Sequence, residues 1–239
     1  MRLLQHRIAG PEPCPYLPGL ASTTETLLMT GVSPGELERL LERGWRRFGP
    51  VYFRPVCGAC AQCISVRVPV EAFTPSQNLK RVSRRAAGLR VEVSAPVVDE
   101  ARLLLYRRWH ASREEERGWK PDRIGAESYA MQFCFPHPAA REFSYWDRDE
   151  LVGVGIADET PQSLSAVYCY HDPSRSRLSL GTYNVLKGIE YARRNRLRYV
   201  YLGYRVEGCI SLQYKGRFQP QESLRGRVSE GEEPRWERA

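Results

Sequence analysis

A chain of 239 residues with 36 Lys and Arg against 28 Asp and Glu has room for one large core or two small ones, and its net charge of +8 favours a polyanionic partner. Its longest apolar runs, such as LVGVGI from Leu151 to Ile156, fall far short of the roughly 20 residues of a membrane-spanning helix. Seven cysteines, an odd number, and the absence of a charged-then-apolar leader argue against a secreted disulfide scaffold and for a reducing cytoplasm.

In chain order, the first strong element is SPGELERLLERG. Ser33 is placed as N-cap, Pro34 opens the helix, Glu36 completes a capping box, and Leu37, Leu40 and Leu41 share one face before Gly44. VYFRP and the alternating ISVRVPV predict two strands, with RPVCGACAQC on the connection between them. SQNLKRVSRRAA predicts a basic helix, LRVEVSA a strand, and DEARLLLYRRWHASREEERG a long helix. Between Ser76 and Arg108 eight basic residues face three acidic ones, and with no amphipathic anchor beside them a phosphate backbone suits this charge better than a membrane.

Past a helix at ESYAMQFCF, the segments EFSYWD and LVGVGIADE predict a hairpin and SLSAVYCYHD a third strand. RSRLSLGTYNVLKGIEYARR then makes a turn at Gly181 and enters a helix, followed by a strand at YVYLGY and a helix at EGCISLQYKGRF. A strand, a glycine-containing turn and a helix in this order leave backbone N–H groups for an anionic or carbonyl ligand, as in the N-acetyltransferase fold. The expected class is therefore α+β: an N-terminal α/β domain over 1–97 with a cysteine-rich metal-type turn, an N-acetyltransferase-like domain with a mixed sheet over 98–225, and a disordered polar tail over 226–239.

Cys57, Cys60 and Cys63 follow C-x2-C-x2-C, a spacing that brings thiolates from a tight turn towards one ion or cluster. The bacterial ferredoxin run is excluded, because Arg67 and Val68 stand where a cysteine and a proline belong. Cys14, in the proline-rich EPCPYLPG, is the natural fourth ligand, and the four-thiolate set suits either Zn or an iron–sulfur cluster. A redox dithiol needs a helix after the cysteines, and a strand is predicted there. Cys134, Cys169 and Cys209 stand singly and read as small buried hydrophobes.

CPYLPG, RGWRRFGPVYFRPVCGACAQCISVRVPVEAFTPSQ, LSAVYCYHDP, LSLGTYNVLKGIEYAR, YVYLGY and YKGRFQPQE, in that order, make the chain similar to the aminoacyl-tRNA-protein transferases, in particular the short bacterial aspartate/glutamate leucyltransferases. The resemblance implies transfer of an amino acid, with leucine favoured over arginine, from charged tRNA to the N-terminal amine of proteins that begin with Asp or Glu, marking them for degradation. It also implies an N-acetyltransferase-like C-terminal half and cysteines able to hold Zn or an iron–sulfur cluster. The chain departs from the family pattern at Arg113-Glu114 and at Arg205.

For this chemistry no cofactor is needed, since an ester donor gives an amide product and the enzyme has chiefly to align the two. The Gly181 turn with Ser179 is the candidate oxyanion cradle, and Tyr183 and Tyr204 are candidate lining for the reacting groups. Lys215 and Arg113 are the candidate cations for the acceptor's carboxylate, and Lys80, Arg81, Arg84 and Arg85 the candidate tRNA contacts. Two alternatives stand beside this reading. A non-catalytic RNA-binding metal or redox sensor would explain the charge and the cysteines, while an acetyl-CoA acetyltransferase would need a second glycine in the turn.

Overall fold

The computed structural model describes residues 1–121, 124–229 and 231–238. In chain order these form β1 (Arg2–Pro13), β2 (Ala21–Thr30), α1 (Pro34–Glu42), β3 (Arg46–Phe48), β4 (Val51–Pro55), β5 (Ile64–Pro69), α2 (Gln77–Arg85), β6 (Arg90–Ser94), α3 (Glu100–Arg117) and α4 (Ala126–Phe133). There follow β7 (Ala140–Asp147), β8 (Glu150–Glu159), β9 (Ser163–His171), a 3₁₀ turn (Pro173–Leu178), α5 (Leu180–Arg194), β10 (Tyr199–Arg205), a second 3₁₀ turn (Gln213–Arg217), β11 (Glu222–Leu224) and β12 (Trp236–Arg238).

Local chemistry sets the helices. At α1 the Glu36 amide donates to Ser33 Oγ at 3.3 Å and the Ser33 amide donates to the Glu36 carboxylate at 2.8 Å, the reciprocal box that the sequence predicts. Leu37 and Leu41 are buried beneath it. Helix α2 is capped by Ser76, buries Leu79 and Val82, and leaves Lys80, Arg81, Arg84 and Arg85 exposed, so its basic face is free of the core.

Two sheets result. The smaller runs β1-β2-β4-β3; the larger runs β12-β11-β5-β10-β9-β8-β7-β6. Every pair is antiparallel except β9 with β10, which are joined through α5 and register only from Ser163 and Tyr199 to Ser165 and Tyr201. Beyond that point β9 stays with β8 and β10 with β5, so the two parallel strands part. Helices α2 and α5 contribute to one apolar cluster with Val66, Val68, Phe143 and Val200, and α3 and α4 to a second with Val154, Ile156 and Tyr170. A buried pair, with Arg47 Nε donating to Asp158 at 2.9 Å, ties β3 of the smaller sheet to β8 of the larger. Among the described residues no helix is long and apolar enough to cross a membrane.

The mixed α+β class and the mixed sheet agree with the sequence expectation, and four particulars differ. β5 and β6, from the first 97 residues, lie in the same sheet as β7 to β10, with β5 between β11 and β10. The N-terminal stretch, given no element by its own pattern, is a strand that forms a hairpin with β2, paired along its length. EGCISLQYKGRF holds only a five-residue 3₁₀ turn, since Gly208 at φ +81° and Gly216 work against a continuous helix. The tail expected to be disordered instead supplies β12: Trp236 packs on Tyr201 with ring centroids 5.4 Å apart, and its indole donates to the Glu42 carbonyl at 3.1 Å. One aromatic residue in a polar segment is enough to anchor it.

Candidate functional site

The turn between Val56 and Cys63 leaves β4 of the smaller sheet and enters β5 of the larger, so it bridges the two. Beside it opens a cleft of about 850 Å³, lined by Cys14, Tyr16, Cys57, Cys60, Cys63, Ser65, Tyr204 and Leu224 among others. Cys14 is placed by the loop after β1, where its amide donates to the Leu20 carbonyl at 2.8 Å. Cys57 is tied to β2 by the Thr23 amide, 3.4 Å from its sulfur. Burial, and then the nearby thiols of Cys14, Cys57 and Cys60, push the Cys63 thiol up to about 12. The four cysteines predicted to act together therefore share one cleft. Their sulfurs suit a soft or borderline metal, yet among the described residues no three His, Cys, Asp or Glu side chains converge closely enough to hold an ion.

Behind Tyr204 lies a second feature. The register of β10 against β5 slips between Tyr201 and Gly203, and Gly203 adopts φ +83°, a conformation open to glycine. The bulge exposes the carbonyl of Tyr204 to Lys215, whose Nζ donates to it at 2.8 Å. Lys215 is 9% exposed, and burial, helped by nearby Arg46, lowers its pKa from 10.5 to about 7. Arg46 is 7% exposed; its Nη2 donates to Ser65 Oγ at 2.9 Å, and its guanidinium carbon lies 5.5 and 5.7 Å from the ring centroids of Tyr201 and Tyr204. Its Nε and Nη1 are buried without a hydrogen-bond partner among the described residues. Ser65 and Tyr204, which touch Arg46, also line the cleft.

A third locus lies at the start of α5. Ser179, at φ +53°, is the residue that turns the chain, and its carbonyl accepts from the amides of Thr182 and Tyr183 at 2.9 and 3.0 Å. Gly181, expected to be the turn residue, instead sits inside the first helical turn, where an added Cβ would meet nothing within 4 Å. Arg85 of α2 reaches Ser179 Oγ at 3.4 Å, beside a cavity of about 380 Å³ that Arg175 and Arg177 also line.

The structure thus gathers Cys14, Cys57, Cys60, Cys63 and Tyr204 around one cleft, with Lys215 beneath Tyr204, and joins Arg85 to Ser179 elsewhere. The hydroxyl expected of Tyr204 at the reacting groups is already committed, donating to the carbonyls of Gly44 at 2.8 Å and Phe53 at 3.3 Å. Tyr183 is buried against Tyr145, ring centroids 5.7 Å apart. Arg113 lies over Trp109 and pairs with Glu116 at 2.9 Å, and no contact among the described residues joins it to Lys215. The two departures from the family pattern have local partners: Glu114 is 2.8 Å from His110 Nδ1, and Arg205 donates to Gln221 at 3.1 Å. Sequence reasoning passed over Arg46. Its signal was the pair of arginines in GWRRFG: on a strand two consecutive side chains take opposite faces, so both cannot be solvated if the strand is covered.

Comparison with known proteins bears on the whole chain. A family model described as arginine-tRNA-protein transferase, C terminus, matches residues 101–225, and its N-terminus counterpart matches 12–81. An aspartate/glutamate leucyltransferase of Helicobacter hepaticus is 36% identical over 225 residues, 94% of this chain and 93% of that protein. One of Nitrobacter hamburgensis is 35% identical over 230 residues, 92% and 89% of the two chains. The crystal structure of FemX aligns with a TM-score of 0.53 at 10% identity, over 78% of this chain and 65% of that one, a likeness of fold.

Proposed function

This chain belongs to the arginine-tRNA-protein transferase family, and from that premise we propose that it transfers leucine from leucyl-tRNA to the N-terminal amine of proteins beginning with Asp or Glu, marking them for degradation in the cytoplasm. The observation that carries the reading is the identity of 36% over nearly the full length of both chains with a leucyltransferase of those acceptors. The buried cations beside the thiol-lined cleft support the acidic acceptor.

The acceptor amine attacks the ester carbonyl of the charged tRNA; the C–N bond forms, the C–O bond to the tRNA ribose breaks, and the ribose oxygen takes up the proton that the amine loses. An α-amine has a reference pKa near ~8, so little activation is needed and alignment dominates. The exposed Lys80, Arg81, Arg84 and Arg85 of α2 hold tRNA phosphates, and the first turn of α5, from Ser179 through Gly181, cradles the developing oxyanion. Tyr183 and Tyr204 support these groups through packing. Lys215 meets the acceptor's carboxylate, with Arg113 a second and more distant candidate. Cys14, Cys57, Cys60 and Cys63 share the cleft between the loop after β1 and the bridging turn, and to hold Zn or an iron–sulfur cluster their sulfurs would have to draw closer together than they stand.

The test offers the protein labelled leucyl-tRNA and arginyl-tRNA in parallel, with peptides that begin Asp, Glu or Ala. Leucine on the acidic peptides alone is the expected result. Arginine there would change the donor, and no transfer from either would favour the RNA-binding sensor.

A further inference from the structure

We propose that Arg46 and Lys215 form a two-cation receptor for the side-chain carboxylate of the acceptor's first residue, with Arg46 the specificity residue that the motifs did not reveal. The proposal rests on the acceptor class given above and deepens it.

The argument starts from the other buried arginines. Arg47, Arg67 and Arg102 are each 8% exposed or less, and each holds a carboxylate: Asp158, Glu222 and Glu142. Such pairing is the rule, because a buried charge without a partner is costly. Arg46 is as deeply buried and has no carboxylate partner among the described residues. Its one hydrogen-bond partner is the neutral Ser65 hydroxyl, and two of its nitrogens are orphaned. Lys215 likewise holds only a carbonyl.

Two buried cations side by side repel, and here both lie against the same strand bulge. The point that a Cβ would occupy on Gly203 lies 3.3 Å from Lys215 Nζ and 3.7 Å from Arg46 Nε, with no other heavy atom found within 4 Å outside its chain neighbours. A side chain there would crowd Lys215 Nζ, so glycine at φ +83° is what lets both cations lie against the bulge. A carboxylate that enters from the cleft past Ser65 and Tyr204 to the orphaned Arg46 nitrogens gains a charge-assisted hydrogen bond from the guanidinium and, with Lys215 beside it, relieves the repulsion between the two cations. The Tyr201 and Tyr204 rings hold the guanidinium in place, so the receptor is preorganised. Ser65 and Tyr204 open onto the cleft, which gives the acceptor's first residue a route in. An amide of the same shape brings no charge, so Asp is separated from Asn by electrostatics rather than by fit.

The test compares wild type, Arg46→Met, Arg46→Lys and Lys215→Met with labelled leucyl-tRNA and two peptides differing only in Asp or Asn at the first position. Calorimetric binding of the same peptides without tRNA runs in parallel, and circular dichroism monitors the fold. Arg46→Met is expected to cut the Asp-over-Asn preference roughly 10- to 100-fold, chiefly through KM. Arg46→Lys retains part of the preference, and Lys215→Met loses a comparable share. An unchanged Asp/Asn ratio in Arg46→Met, or an equal kcat loss on both peptides, overturns the proposal. If Arg46→Met does not fold, an unchanged ratio in Lys215→Met overturns it instead. If wild type transfers leucine to neither peptide, the proposed reaction fails by itself, and calorimetry judges the receptor: Asp bound over Asn by wild type and not by the folded variant supports it, and equal binding overturns it.

Discussion

Lys215 donates from Nζ to the main-chain carbonyl of Tyr204 at 2.8 Å, across a strand bulge whose glycine leaves room for the ammonium and for Arg46 beside it. A carbonyl is the partner where a carboxylate would be usual.

The pH dependence of stability reports this directly. Burial lowers the Lys215 pKa from 10.5 to about 7, so the folded chain gives up the proton at a lower pH than the unfolded chain does. This lysine therefore costs nothing above about pH 10.5, costs progressively more as pH falls from there towards 7, and costs a constant amount below 7, on the order of 5 kcal/mol at most. Lys215→Met should stabilise the protein relative to wild type more at pH 6 than at pH 9.5 in urea unfolding. An equal difference at both pH values would place the ammonium in contact with solvent or a counterion.

The basic face of α2 stands clear of the core, and removing its charge leaves Leu79 and Val82 in place. The quadruple variant Lys80→Ala, Arg81→Ala, Arg84→Ala, Arg85→Ala should keep its fold and bind leucyl-tRNA more weakly. Its log affinity should also fall less steeply with log salt, by about 3 in slope if all four residues meet phosphates. Filter binding over a salt series measures both quantities, and undiminished affinity would remove α2 from the tRNA surface.

Four cysteines share the cleft without converging, so a resident metal would have to draw them together. Protein purified without oxygen or chelator should carry about one Zn, or iron with matching sulfide, per chain, and Cys60→Ser should lower that content. Elemental analysis decides it. A metal-free wild type, with all seven thiols titrating as free, would leave the four cysteines as packing residues around the cleft.

Trp236 holds the C-terminal segment by its packing on Tyr201 and by the Arg67 guanidinium, 4.2 Å from its ring centroid. Trp236→Ala should destabilise the protein by about 1 to 3 kcal/mol and open the chain to trypsin at Arg225 and Arg227. Proteolysis at the wild-type rate would show that the tail is held by its strand pairing and by the bonds from Arg43 to the carbonyls of Ser229 and Glu232.

The sequence by itself determined what is local. The Ser33 capping box, the Ser76 cap with Leu79 and Val82 behind a basic face, and the hairpin of β7 and β8 are written within a few residues of where they act, because caps, helix periodicity and tight turns depend on near neighbours. The ordered motifs likewise sufficed for the family. The tertiary structure decided what depends on distant partners: β5 sits between β11 and β10, and β12 is a strand because it pairs with β11 and Trp236 finds Tyr201. It also decided the different fates of two adjacent arginines. Alternation sends Arg47 to Asp158, 111 residues away, and Arg46 to a bulge in β10. No local pattern names either partner, since a charge is satisfied by whatever the folded chain brings opposite it.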